Sequence, residues 1–129
     1  MIVDSCVWID YFNGIKSKET NRLDQLLAEG EIEILDIIIT EVLQGFRSDT
    51  DFAIAKNLLS ELTTFEVLGK TCALQSAENF RSLRKNGVTI RKTIDVIIAT
   101  YCIENDKSLL ASDRDFNLIA KHLPLKLAE

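Results

Sequence analysis

Apolar positions along the chain fall into short runs separated by polar segments and glycines. Ile2 and Val3 form a short apolar strand, and Ser5 to Phe12 reads as a helical turn ending before Gly14. Lys18 to Glu29 carries Leu23, Leu26 and Leu27 at helical spacing and stops at Gly30, a glycine C-terminal signal. Glu31 to Leu35 alternates acid and isoleucine, which predicts a short strand or turn. Ile38 to Phe46 reads as a helix, and the cap signals Ser48 and Asp49 precede a second one from about Phe52 to Leu62.

Phe65 and Val67 predict a short strand before Gly69. Thr71 to Asn86 is a long amphipathic helix, with Ala73, Leu74, Ala77, Phe80 and Leu83 on one side, closed by Gly87. Thr93 is positioned to cap a helix running to about Glu104. Ser108 to Ala111 reads as an apolar strand, and Ser112 or Asp113 caps a last helix that runs to His122 and is ended by Pro124. Short apolar strands alternating with helices predict βαβ units and a parallel sheet covered on both faces.

Composition narrows this picture. The 129 residues predict one domain, long enough to bury a core without disulfides or metal staples. Only 5 glycines and 1 proline punctuate the chain, so helices are expected to dominate. No apolar run approaches the roughly 20 residues that a membrane-crossing helix needs. The opening MIVD lacks the basic region of a secretory signal, and Cys6, Cys72 and Cys102 are too scattered for a disulfide framework or a metal knuckle. A cytoplasmic protein with no membrane association is the expectation. Lys plus Arg is 15 against 20 Asp plus Glu, a formal net charge of −5, which excludes nucleic-acid binding by bulk positive charge.

Most acids sit in polar runs, as in Glu104-Asn105-Asp106-Lys107, and belong to a solvated face. Four do not. Asp4 ends the strand Ile2-Val3, Glu41 lies among Ile37, Ile38, Ile39, Val42 and Leu43, Asp95 is flanked by Ile94, Val96, Ile97 and Ile98, and Asp113 follows Leu109-Leu110-Ala111. A carboxylate buried without a partner costs several kcal/mol, so each is expected to cap a helix, pair, or bind a cation. Capping or a helix dipole accounts equally well for Asp4, Asp95 and Asp113 taken singly, and less well for Glu41 within its helix. In an open parallel sheet, ligands collect beyond the carboxyl ends of strands, where Asp4 and Asp113 both fall. Carboxylates converging there require a divalent cation, and oxygen-only ligation favours Mg²⁺ or Mn²⁺ over Zn²⁺.

The blocks MIVDSCVWIDYF, TEVLQGF, GVTIRKTIDVIIAT and LLASDRDFNLIA, in this order across nearly the whole chain, resemble the PIN domain, specifically the VapC-like toxins of bacterial toxin–antitoxin pairs. The resemblance implies a single PIN domain over residues 1–129, with a three-layer α/β/α fold around a parallel sheet of four to five short strands. It implies a metal-dependent endoribonuclease whose metal-binding and catalytic acids are Asp4, Glu41, Asp95 and Asp113, with Asp115 auxiliary and Thr93 a polar neighbour. Mg²⁺ or Mn²⁺ would be the cofactor. Products would carry a 5′-phosphate and a 3′-hydroxyl, because water rather than the ribose 2′-hydroxyl attacks. A homodimer and a small VapB-like antitoxin are the implied partners beside RNA. Cys6 departs from the small hydroxylic residue common at that place, and Ala111-Ser112 from bulkier polar residues; neither change removes a ligand.

Between Glu78 and Asp95 there is no acid, while Arg81, Arg84, Lys85, Arg91 and Lys92 supply five of the 15 cations. Arg91 and Lys92 are expected to contact substrate phosphate, with Arg81, Arg84 and Lys85 extending the track; an exposed helix face that offsets acids elsewhere is the plainer alternative. Trp8, Tyr11 and Phe12 suit a core or dimer seam better than a base-stacking platform. His122, the only histidine, falls in a last helical turn, where a cation complements the dipole. Of the competing Mg²⁺ folds, a haloacid-dehalogenase-like phosphatase needs a second acid where Cys6 stands, and a receiver domain needs a lysine where Ser112-Asp113 stand. A catalytically silent PIN-like protein-binding module is the remaining alternative, opposed by the intact four-acid set.

Overall fold

The structure, a computed structural model, describes residues 1–128. Its elements in chain order are β1 (Ile2–Val3), α1 (Ser5–Phe12), α2 (Lys18–Glu29), β2 (Glu33–Leu35), α3 (Asp36–Leu43), α4 (Asp49–Ser60), β3 (Thr63–Phe65), α5 (Lys70–Lys85), α6 (Thr93–Glu104), β4 (Ser108–Leu110), α7 (Arg114–His122) and β5 (Lys126–Leu127). The strands form one parallel sheet in the order β3-β2-β1-β4-β5, flanked by helices. Ile2 lies opposite Glu33, Glu33–Leu35 opposite Thr63–Phe65, and Ser108 and Leu109 opposite Lys126 and Leu127. Residue contacts divide the chain into two units, one of Met1–Glu66 with Leu110–Ser112 and one of Val67–Leu109 with the segment from Asp113 onward.

In the first unit, β1 is fully buried and its successor Asp4 starts α1. The helix α1 packs on α2 and α3 and buries Val7 and Trp8, with the Trp8 ring stacked on Phe12 at 5.9 Å. Phe46 meets the same Phe12 edge-on, which makes Trp8 core rather than a base platform. A reciprocal capping box opens α2: Ser17 Oγ accepts from Thr20 N–H, and Thr20 Oγ1 accepts from Ser17 N–H. Gly30 ends it at φ 72°, a left-handed cap that only glycine adopts without strain.

In the second unit, α5 packs on α6 and α6 on α7. Leu83, Val96, Ile98 and Cys102 are buried, and Asn79 Nδ2 donates to Thr100 Oγ1 at 2.9 Å. The helix α6 is apolar on nearly all sides, as befits a buried helix. By contrast, α7 is strongly amphipathic and turns Phe116 and Ile119 inward.

Several expected boundaries move. The helix expected over Ile38 to Phe46 spans Asp36–Leu43 instead, starting directly after β2 with Leu35 at the cap position. The strand expected at Phe65 and Val67 is Thr63–Phe65, fixed by pairing with β2. Thr93 does not cap α6: Lys92 holds the cap position, without a side-chain bond to the helix. The short β5 had no sequence signal, since two residues beside β4 carry no periodicity. Leu123, extended ahead of Pro124, ends α7 as the residue before a proline favours.

Candidate metal centre

Helices α6 and α7 begin with acids. Asp95 is the third residue of α6, and Asp115 the second of α7, two positions after its cap residue Asp113. One carboxylate oxygen from each of Asp95, Asp113 and Asp115 can be chosen so that all three lie within 4.8 Å of one another. Asp95 and Asp115 are each 3% exposed, and Asp113 is half-buried. Such proximity is repulsive, and two features moderate it. The N-terminal ends of α6 and α7 both carry positive partial charge. The Arg91 guanidinium also stands 3.4 Å from Asp115 Oδ2 and 3.8 Å from Asp113 Oδ1. One guanidinium does not neutralise three carboxylates.

Asp113 does two jobs. Its Oδ1 accepts from Asp115 N–H at 2.9 Å, so it caps α7, and it still belongs to the cluster. Capping and membership of the acid group are therefore compatible in one side chain. The three donors are hard oxygens, with no histidine or cysteine among them. That donor set fits Mg²⁺ or Mn²⁺ and disfavours Zn²⁺. Asp115, expected only as an auxiliary, is as buried as Asp95 and a full member of the group. The readable signal was its place two residues after a strand-end aspartate, in the first turn of an amphipathic helix.

Asp4 and Glu41 belong to the first unit. Asp4 is buried, caps α1 by accepting from Cys6 N–H at 3.4 Å, and donates its own N–H to Leu110 O at 2.9 Å. Glu41 is half-buried in α3, one residue before buried Val42. In the second unit, Arg81, Arg84 and Lys85 line the exposed side of the last turns of α5, and Lys92 is exposed at the start of α6. Arg84 lies over the Phe80 ring at 5.8 Å. Thr93 is exposed and lines an apolar groove between α5 and α6 with Leu68, Phe80 and Ile97. His122 is exposed at the end of α7.

A helix-flanked parallel sheet with acids at helix starts beyond strand ends defines an α/β domain whose acids are placed to hold a cation. The sequence model of the PIN domain family matches residues 1–122, and the chain belongs to that family. It is similar to the VapC ribonuclease Mb1587 of Mycobacterium bovis and to ribonuclease VapC11 of Mycobacterium tuberculosis, each 26% identical over 130 residues covering 99% of this chain and 97% of the relative. Among solved structures, VapBC2 from Rickettsia felis, bound to a DNA fragment from its promoter, aligns with a TM-score of 0.76 at 18% identity, covering 98% of this chain and 96% of that one. FitAcB from Neisseria gonorrhoeae aligns with a TM-score of 0.72 at 13% identity over 99% and 96% of the two chains. The fold is thus shared with the matched chains of these structures.

Proposed function

We propose that this chain is a metal-dependent endoribonuclease of the VapC type, the toxin of a toxin–antitoxin pair. The observation that carries the reading is the grouping of Asp95, Asp113 and Asp115 within 4.8 Å in a chain of the PIN family. The names of its relatives support RNA as substrate. We read residues 1–129 as one domain, a reading supported by the family match over 1–122.

Asp95, Asp113 and Asp115 would hold the cation, Mg²⁺ or Mn²⁺. Asp4 and Glu41 complete the proposed catalytic set. Asp4 is tied by its N–H to Leu110, three residues of chain before Asp113. When bound, such an ion supplies charge neutralisation at the phosphodiester and activation of water. In the reaction, water oxygen forms a bond to phosphorus, the bond from phosphorus to the 3′-oxygen breaks, and that oxygen leaves with a proton. The phosphate stays on the 5′ end of the downstream product. Lys92, Arg81, Arg84 and Lys85 hold the RNA backbone by charge, which orients the scissile phosphate without reading sequence. Phe52 and Ile54 remain exposed on α4 after Ala55 and Leu59 pack inward. They offer apolar surface for an antitoxin, and a homodimer in the cytoplasm completes the proposal.

The deciding experiment uses the purified chain without partner, incubated with structured RNAs and Mg²⁺, Mn²⁺ or EDTA, beside Asp4→Asn and Asp95→Asn. Asparagine retains the α1 cap at position 4 while removing charge. Metal-dependent cleavage that both substitutions reduce at least about 100-fold is expected. Equal cleavage by all three proteins would remove the reading, and intact RNA throughout would favour the binding module.

A further inference from the structure

Arg91 sits in the loop between α5 and α6, with 63% of its side chain exposed. Its planar fork nonetheless spans two members of the acid group, Nε toward Asp115 at 3.4 Å and Nη2 toward Asp113 at 3.8 Å. A cluster of acids does require a cation, and with Asp115 only 3% exposed its charge is unfavourable beside Asp113 and Asp95 unless a positive group stands against it. The contacts are long and the guanidinium largely in water, so the pairing is weak and reversible.

We propose that Arg91 is a built-in stand-in for the divalent ion. Its guanidinium and the ion compete for Asp113 and Asp115, so ion binding releases Arg91 outward, where it becomes available to RNA phosphate. The inference rests on the reading of Asp95, Asp113 and Asp115 as the ion-holding group. Competition is reciprocal: whatever factor Arg91 takes from ion affinity, the ion takes from the Arg91 pairing. For an exposed pair that factor is about two- to fivefold. Arg91 thereby acts as a positioning residue that keeps the acids ordered before loading and delivers charge to substrate after it.

The test measures Mn²⁺ binding to the metal-free protein by electron paramagnetic resonance, without RNA. Arg91→Gln should bind Mn²⁺ roughly two- to fivefold more tightly than wild type, with Arg91→Lys in between because an ammonium pairs with one carboxylate rather than two. In wild type, the Nε–Hε resonance missing from Arg91→Gln should shift during a Mg²⁺ titration with the midpoint of ion binding. Circular dichroism establishes that the variants are folded. Equal affinity would make the contact incidental, and weaker binding by folded Arg91→Gln would make Arg91 a support of the ion site; either overturns the proposal. Wild type binding Mn²⁺ no better than Asp95→Asn overturns both this inference and the metal reading beneath it, a failure visible before any Arg91 variant is compared.

Discussion

Asp95 illustrates how one side chain trades stability for chemistry. It is buried within reach of two further carboxylates, and like charges so close repel one another. Asp95→Asn should therefore raise the melting temperature in EDTA, by an amount on the order of 1 kcal/mol in stability, while abolishing metal-dependent cleavage. A thermal scan in EDTA measures the first effect, and an unchanged or lower melting temperature would refute it. Tyr11 gives a second test. Burial, then its hydrogen bond to Asp24 at 3.1 Å, pushes the phenol above its ordinary pKa of 10.0. A raised acid pKa means the neutral form is favoured by folding, so this stability is present below the unfolded value and is lost as pH rises through the folded one. Tyr11→Phe should flatten the decline of melting temperature above about pH 10.

Helix ends account for most of what could be read locally. Ser17, Gly30 and Gly87 punctuate as their chemistry dictates, and α1 and α2 begin and end where the sequence predicts. Ser17→Ala removes one half of the capping box and should cost about 1 kcal/mol, measured by urea unfolding. Where an end depends on a partner strand, local signals fail. The β3 register is imposed by Glu33–Leu35, so an apolar pair at Phe65 and Val67 gives way to Thr63–Phe65. Thr93 has a cap-forming side chain but follows the true cap position held by Lys92. The basic end of α5 carries a prediction of its own. Replacing Arg81, Arg84 and Lys85 by glutamine should weaken RNA binding and lower the slope of log affinity against log salt by about 2 to 3, since each lost phosphate contact removes close to one unit. An unchanged slope would leave this face as a solvated surface.

For the whole molecule, the net charge of −5 argues against an RNA partner until its distribution is seen. Acids gather at the starts of α6 and α7, and exposed cations occupy the end of α5 and the loop that follows. Ion binding to the folded chain alone should stabilise it by about 2.7 kcal/mol at a hundredfold excess over Kd. Mg²⁺ should accordingly raise the melting temperature of wild type and leave Asp95→Asn unmoved. The sequence by itself determined most helices and the strand-end acids, because periodicity, caps and an unfavourable charge in an apolar run are local properties, and its four motif blocks carried the resemblance to the family. Tertiary structure alone decided which acids meet. Asp115 joined Asp95 and Asp113 because two helix starts abut, and Arg91 turned onto that group because three clustered carboxylates draw the nearest flexible cation, a balance no linear spacing encodes.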